Sequence, residues 1–188
     1  MSHSTYFEIY CVESNQLPPS FADIDSLEEF RTNHEARLTF DAMREDVFLT
    51  LEDCVKNLNL PAVKLFDLNR YDQKFHSSQM GELWVKRPSP MEVEAVCVDL
   101  LRLQEVAKTT PALLVFEEFQ YPDIKAQYEK DISQAASAEA TDLSIRDLTY
   151  YDEGEFWDHF FWVLQIVCAI CNEAKMANQS LLFVWYVS

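Results

Sequence analysis

Hydrophobic residues recur at intervals of three and four along much of the chain, which is the spacing of one buried face on an α-helix. One such stripe predicts a helix over residues 41–58, which Pro61 stops. A second stripe follows Ser89-Pro90-Met91-Glu92, where a capping serine, a proline at the first helical position and a glutamate at the third mark a helix start. This second helix is predicted to extend to about Ala107.

The most apolar stripe of the chain extends from Glu153 to Met176. Its apolar side chains point in nearly every direction around the helix, which predicts a central core helix, with an interface between copies of this chain as the alternative. The densest apolar run covers twelve residues, fewer than the ~20 that a bilayer crossing needs. We therefore predict no membrane segment.

The remaining segments indicate strands and connections. Thr5–Glu13 and Leu181–Val187 are rich in β-branched and aromatic residues and predict an N-terminal and a C-terminal strand that could be neighbours. Shorter strand candidates are 62–68 and 82–86, and 112–119 is compatible with either a strand or a short helix. The small polar residues of 131–142 predict a mobile loop or a helix-capped insertion.

Another helix start is predicted inside the N-terminal half. In Ser26-Leu27-Glu28-Glu29, Ser26 and Glu29 have the spacing of a capping box, in which each side chain binds the other's backbone amide. Together these elements predict a single α+β domain over residues 1–188, with a small sheet that includes both terminal strands and packs against several helices.

Composition excludes one class of function and favours another. The chain of 188 residues has only two glycines, Gly81 and Gly154, so it cannot build the glycine-rich loops of nucleotide-binding sites. Asp and Glu number 32 against 15 Lys and Arg, a formal charge of −17. Such a field repels nucleic acid and anionic membranes and accelerates encounter with basic surfaces, although solubility alone also explains it.

The residue types that carry most enzyme chemistry form no recognisable motif. Cys168 and Cys171 are a single CxxC in the middle of a predicted helix, with no second ligand pair, and are interpreted as inert core residues. The four histidines form no metal-binding or triad pattern and are interpreted as surface or capping residues. We therefore assign no catalytic residue, metal or cofactor, and expect a protein that is not an enzyme. The odd number of cysteines and the absence of a secretory leader indicate reduced thiols and a cytoplasmic location.

Carboxylates cluster most densely before the last predicted helix. A solvated helix face is the simplest explanation, and a docking surface for a basic partner is the second. Aromatic residues beside charge are favoured interface anchors, so this segment is the predicted partner-binding site. Its residues are Tyr150, Tyr151, Asp152, Glu153, Glu155, Trp157 and Asp158.

The C-terminal stretch, in which NEAKMANQ leads directly from the apolar helix into LLFVWYV, combines with a β-rich start. This pattern resembles small bacterial proteins of the YfbM-like kind and, more loosely, immunity proteins of polymorphic toxin systems. The resemblance implies an acidic cytoplasmic protein without enzymatic residues that acts by binding a cognate toxin. It transfers no site residue to this chain.

The leading hypothesis is therefore a bacterial cytoplasmic protein that binds and neutralises a basic protein, most plausibly as a toxin-immunity protein. One alternative is a small hydrolase or transferase with a carboxylate site, in which Glu117 or Glu118 would meet a histidine. Another is an acidic nucleic-acid mimic of phage or plasmid origin.

Overall fold

The computed structural model describes residues 5–41, 54, 57–60, 71–77, 81–115, 122–139, 147–148 and 156–187. Within them six strands form one sheet in the order β3-β4-β6-β1-β2-β5. The strands are β1 (Thr5–Glu13), β2 (Leu38–Asp41), β3 (Gln73–Ser77), β4 (Gly81–Lys86), β5 (Asp147–Leu148) and β6 (Gln179–Val187). All neighbours are antiparallel except β2 and β5, which are parallel.

The two terminal strands are the centre of the sheet. β1 and β6 pair along their whole length, from Thr5 opposite Val187 to Glu13 opposite Gln179. Because neighbouring side chains of a strand point to opposite faces, Leu181, Phe183 and Trp185 lie on one face of the sheet and Leu182 and Val184 on the other. The predicted α+β fold, with both terminal strands in the sheet, is confirmed.

Helices cover both faces of this sheet. Among the helices whose bounds the structure describes, three pack with the first face into the larger core, and one packs on the second face into a smaller core. The single helix is α1 (Ile24–Asn33), and the other three are α2 (Pro90–Thr109), α3 (Pro122–Ser137) and α4 (Phe156–Ala177). A short 3-10 helix, Pro111–Leu114, follows α2.

The helix α4 is the central core helix, as predicted. Eleven of its residues are buried, among them Phe160 and Ile166, which are fully enclosed. By length and composition alone this 22-residue helix could cross a membrane. The densest apolar run of twelve residues, on which the prediction of no membrane segment is based, is therefore shorter than the apolar part of the helix. Its apolar side chains nevertheless pack in the core with α2, α3 and the sheet, as in the core helix of a globular domain.

The start of α2 also agrees with the prediction. Ser89 Oγ accepts a hydrogen bond from the Glu92 amide at 3.3 Å, and a Glu92 carboxylate oxygen accepts one from the Ser89 amide at 2.7 Å. Pro90 occupies the first helical position. Partial burial raises the pKa of Glu92, but the hydrogen bonds from Ser89 and the charge of Lys86 outweigh it and hold that pKa below its ordinary value.

Two predicted elements need correction. Asp41, predicted to begin the helix over 41–58, belongs with Phe40 to strand β2, because both pair with β1. Cys54, Asn57 and Leu58 of that segment are helical, and the rest of 42–58 lies outside the described residues. Residues 131–137 of the predicted loop 131–142 are the last turns of α3, since Ile132 and Ala136 are buried in the core. Segment 112–119, predicted as either a strand or a short helix, is described only to Val115, and this part is the end of the 3-10 helix, in agreement with the second alternative. The strand candidate 62–68 lies outside the described residues, whereas 82–86 is part of β4.

The start of α1 was also misplaced, by three positions. Asp23, not Ser26, is the N-cap: its carboxylate accepts from the Ser26 amide at 2.9 Å, and Ser26 Oγ accepts from the Asp23 amide at 3.1 Å. Aspartate and serine are both strong capping residues, so Asp23 and Ser26 form the reciprocal box by themselves. Glu29 is consequently not needed at the helix start.

Candidate functional site

The predicted partner-binding segment is only partly described. Tyr150, Tyr151, Asp152, Glu153 and Glu155 lie outside the described residues. Asp158 is exposed on the first turn of α4.

Trp157, expected to be an exposed anchor, is buried. Its ring makes edge contacts with Phe160 at 5.4 Å and with Tyr128 at 5.9 Å between centroids. Residues one position apart on a helix point in different directions, so Asp158 faces solvent while Trp157 faces the core. The prediction that Trp157 is exposed is therefore wrong.

A second acidic region, on α1, is held to the sheet by an ion network. The Arg31 guanidinium donates to both Glu8 oxygens, at 2.7 and 2.9 Å, and to Glu28 at 2.7 Å. The Tyr10 hydroxyl donates to Glu8 at 2.7 Å. Burial and the Glu8 charge raise the pKa of Tyr10, so its hydroxyl stays a proton donor. Burial lowers the pKa of Arg31, but its bonds to Glu8 raise it by more, so Arg31 remains a cation.

Beside this network, α1 and the loop after β1 form an open surface cavity of about 400 Å³. Its apolar floor is formed by Phe21 and Phe30, whose rings meet edge to face at 5.5 Å, and its rim is mostly polar. The helix contributes positions spaced by three and four residues, which is a single helix face. The lining residues are Gln16, Pro18, Ser20, Phe21, Ala22, Ser26, Glu29, Phe30 and Asn33.

The floor of this cavity is fixed from several sides. The Gln73 side-chain amide of β3 makes two hydrogen bonds with the Phe21 backbone, at 3.0 and 2.8 Å. The Arg87 guanidinium lies over the Phe21 ring, 5.0 Å from its centroid, and donates to the Pro19 carbonyl. His34, the C-cap of α1, stacks on Phe30 at 4.2 Å. A site held in place before binding loses little conformational freedom when a ligand enters.

Glu29 is the single charged residue among those that line the cavity. Its side chain is exposed, and no described residue pairs with it. Asp25, one turn earlier on α1, is also exposed and has no described ion-pair partner. Six of the ten basic side chains that the structure describes are already in ion pairs with other acids. These are Arg31, Arg37, Lys74, Lys86, Lys125 and Lys175.

The cavity thus combines aromatic surface with one carboxylate at its rim. Lysine and arginine side chains have this complementary form, because an aliphatic stem covers apolar surface while the cationic end stays near water and charge. Aromatic rings attract cations as well, and the position of Arg87 over Phe21 is an example within this chain.

The CxxC of α4 has a third thiol beside it. Cys97 of α2 faces the same core as these two cysteines, and hydrogen bonding from Cys168 and then from Cys171 lowers the pKa of its thiol. Both helices were predicted with these cysteines on their buried faces, but no local signal shows that the two faces meet. All five cysteines are in the described part of the chain and none forms a disulfide, and no group of metal-ligating residues is found among the described residues.

The histidines only partly match their interpretation as surface or capping residues. His34 is the C-cap of α1 and His76 is exposed on β3, as expected. His159 is buried on α4 beside Trp162, because its position faces the core. His3, Glu117 and Glu118 lie outside the described residues.

Comparison with models of protein families, with curated proteins and with solved structures found no match. We therefore infer the candidate site from the geometry and charge of this chain alone.

Proposed function

We propose that this chain is a cytoplasmic, non-enzymatic protein that binds and neutralises a basic protein, as a toxin-immunity protein does. In this proposal the cavity beside α1 receives a lysine or arginine side chain of the partner. The observation that carries it is Glu29, an exposed carboxylate without a described partner at the rim of a preformed aromatic cavity. The formal charge of −17 adds long-range attraction for the same class of partner.

Two roles follow for the acidic side chains. Asp25 and the other exposed carboxylates accelerate encounter, and salt screens this effect because the Debye length is ~8 Å at physiological ionic strength. Glu29 pairs with the inserted cation and is partly desolvated by it, so its contribution falls mainly on the dissociation rate. This division separates a specific docking site from diffuse acidity.

The cavity is tested first with small probes. We expect N-acetyl-arginine amide and N-acetyl-lysine amide to shift the NMR signals of Phe21, Glu29 and Asn33, whereas the neutral N-acetyl-citrulline amide should not. Glu29→Gln should abolish these shifts. Glu139→Gln is the matched control, because it removes one exposed charge away from the cavity. Equal losses in the two variants would show that the probes follow overall charge, and would remove the cavity from the proposal.

The immunity role is tested in cells. The product of the adjacent gene is expressed with and without this chain, and growth is measured. Rescue by the parent and by Glu139→Gln, with weaker rescue by Glu29→Gln, is the expected result. No toxicity from the neighbour, or full rescue by Glu29→Gln at equal protein levels, contradicts the proposal.

A further inference from the structure

The side of α2 that faces solvent carries large apolar side chains. Met91, Val98 and Leu101 are 80%, 59% and 57% exposed, and their spacing of seven and three residues places them on one face of the helix. Ala95 is exposed between them, whereas Leu103 and the rest of the opposite side are buried in the core. The helix therefore has one apolar face in the core and a second one in solvent, and apolar side chains grouped on an exposed face are typical of an interaction surface.

The charged side chains of this exposed face are balanced in sign, unlike those of the whole chain. Glu94, Arg102, Glu105 and Lys108 are exposed on it, and Lys175 of α4 lies at its edge, with its Nζ 2.8 Å from Glu94. The face thus has two acids and three basic residues, whereas the chain has a formal charge of −17. A basic partner is attracted more strongly to the rest of the surface, and two copies of this acidic chain repel each other least where these faces meet.

The order of these residues along α2 is complementary to itself. Arg102 has no ion-pair partner among the described residues, and it lies four positions after Val98, as Glu94 lies four positions before it. In a two-fold dimer the same patch of both copies meets, so that residue i contacts j and j contacts i. Antiparallel packing of two α2 helices about an axis at Val98 therefore places Glu94 of each copy opposite Arg102 of the other. The same arrangement places Ala95 opposite Leu101, so that apolar side chains meet apolar side chains.

We propose that a second copy of this chain covers this face, with the two α2 helices packed antiparallel about a two-fold axis at Val98. One 20-residue helix is about 30 Å long, which makes an interface at the low end of known sizes. We therefore expect a weak dimer, with a dissociation constant on the order of 10–100 μM. The inference is independent of the proposed function, because α2 packs on the first face of the sheet and the cavity beside α1 lies on the second, so both cavities of the dimer stay open.

The experiment is sedimentation equilibrium of the purified full chain, over protein concentrations that span the expected dissociation constant. The mean mass should rise from that of one chain towards that of two and no further, because a two-fold interface closes on itself. Val98→Glu places two carboxylates together at the axis and should weaken dimerisation by at least about tenfold. Ile124→Glu on α3 is the matched control, since it makes the same change at a side chain of similar exposure, 52%, and it should leave the dimer intact.

A charge exchange tests the pairing across the axis. Arg102→Glu should weaken the dimer by at least about tenfold, because it places like charges opposite each other, whereas Lys130→Glu, the same change at an exposed basic residue of α3, should not. Adding Glu94→Arg to Arg102→Glu restores opposite charges and the net charge of the parent, so the double variant should dimerise as the parent does. It also loses the pair of Glu94 with Lys175, but that pair is exposed and contributes little to folding, which circular dichroism of each variant checks.

Three results would overturn the proposal. One is a parent chain that stays monomeric over the whole concentration range, which would leave this face to a partner of other chemistry. Another is a dimer that Val98→Glu does not weaken, or that the matched controls weaken equally. The third is a double variant that folds but dimerises no better than Arg102→Glu alone.

Discussion

Arg31 links α1 to the sheet through Glu8, and its removal gives a stability prediction that can be compared with a matched control. Its guanidinium makes three hydrogen bonds of 2.7 to 2.9 Å to Glu8 of β1 and Glu28 of α1. Its side chain is 18% exposed and that of Glu8 is 12% exposed. Arg31→Ala leaves the Glu8 carboxylate between the sheet and α1 with only the Tyr10 hydroxyl as a donor among the described residues.

The expected cost follows from this burial. Removing one partner of a buried ion pair costs about 3–5 kcal/mol, because the other charge stays desolvated without compensation. Some water reaches both Arg31 and Glu8, so we expect the lower end, about 3 kcal/mol. The matched control is Arg37→Ala. Arg37 also pairs with a glutamate, Glu173, but the two side chains are 43% and 48% exposed, and such pairs contribute about 0–1 kcal/mol.

Urea unfolding of the parent and both variants, followed by circular dichroism, measures these differences. A double variant, Arg31→Met with Glu8→Gln, should lose less stability than Arg31→Met alone, because no unpaired charge remains. Equal losses for Arg31→Ala and Arg37→Ala would refute the reasoning. The reasoning would also be refuted if the stability lost by the double variant equalled the sum of the losses in Arg31→Met and Glu8→Gln.

Two further stability predictions concern the three-helix layer. Phe160→Ala should lower the free energy of unfolding by about 3–5 kcal/mol, because this ring is fully buried against Trp157 and Phe161. Met176→Ala, an exposed position on the same helix, should change it by less than about 0.5 kcal/mol. Similar unfolding midpoints for the two variants would contradict the burial of Phe160. Ser89→Ala should cost about 1 kcal/mol through loss of the α2 cap, measured by thermal unfolding near neutral pH. Because the folded-state pKa of Glu92 is lowered, its contribution is present above its unfolded pKa of about 4.3 and is lost as pH falls through the lower folded value. The cost of Glu92→Gln should therefore shrink in acid, and a pH-independent cost would contradict this cause.

Elements with strong local signals were predicted well. The α2 cap and the apolar α4 depend on residues within one or two helical turns, and both lie where the pattern placed them. Phe40 and Asp41 show the limit of such patterns. The apolar spacing that starts at Phe40 continues into 42–58, but backbone pairing with β1 makes Phe40 and Asp41 part of a strand. Pairing with a distant strand leaves no trace in local periodicity.

The candidate sites have the same limit for two different reasons. The spacing of Glu29 from Ser26 fits a capping box, so the sequence predicts that Glu29 is a capping residue. In the structure Asp23 is the cap, which leaves the Glu29 carboxylate available at the cavity rim. Two pairs in this segment, Ser26 with Glu29 and Asp23 with Ser26, have the spacing of a capping box. Which pair forms the cap decides whether Glu29 caps the helix or faces the cavity. Cys97, by contrast, was placed correctly on a buried helix face. The contact between α2 and α4 joins residues far apart in the chain, and across it Cys168, Cys171 and the Lys175 charge all lower the pKa of Cys97. The basic residue and the third sulfur that the CxxC lacks in the sequence are therefore supplied by tertiary packing.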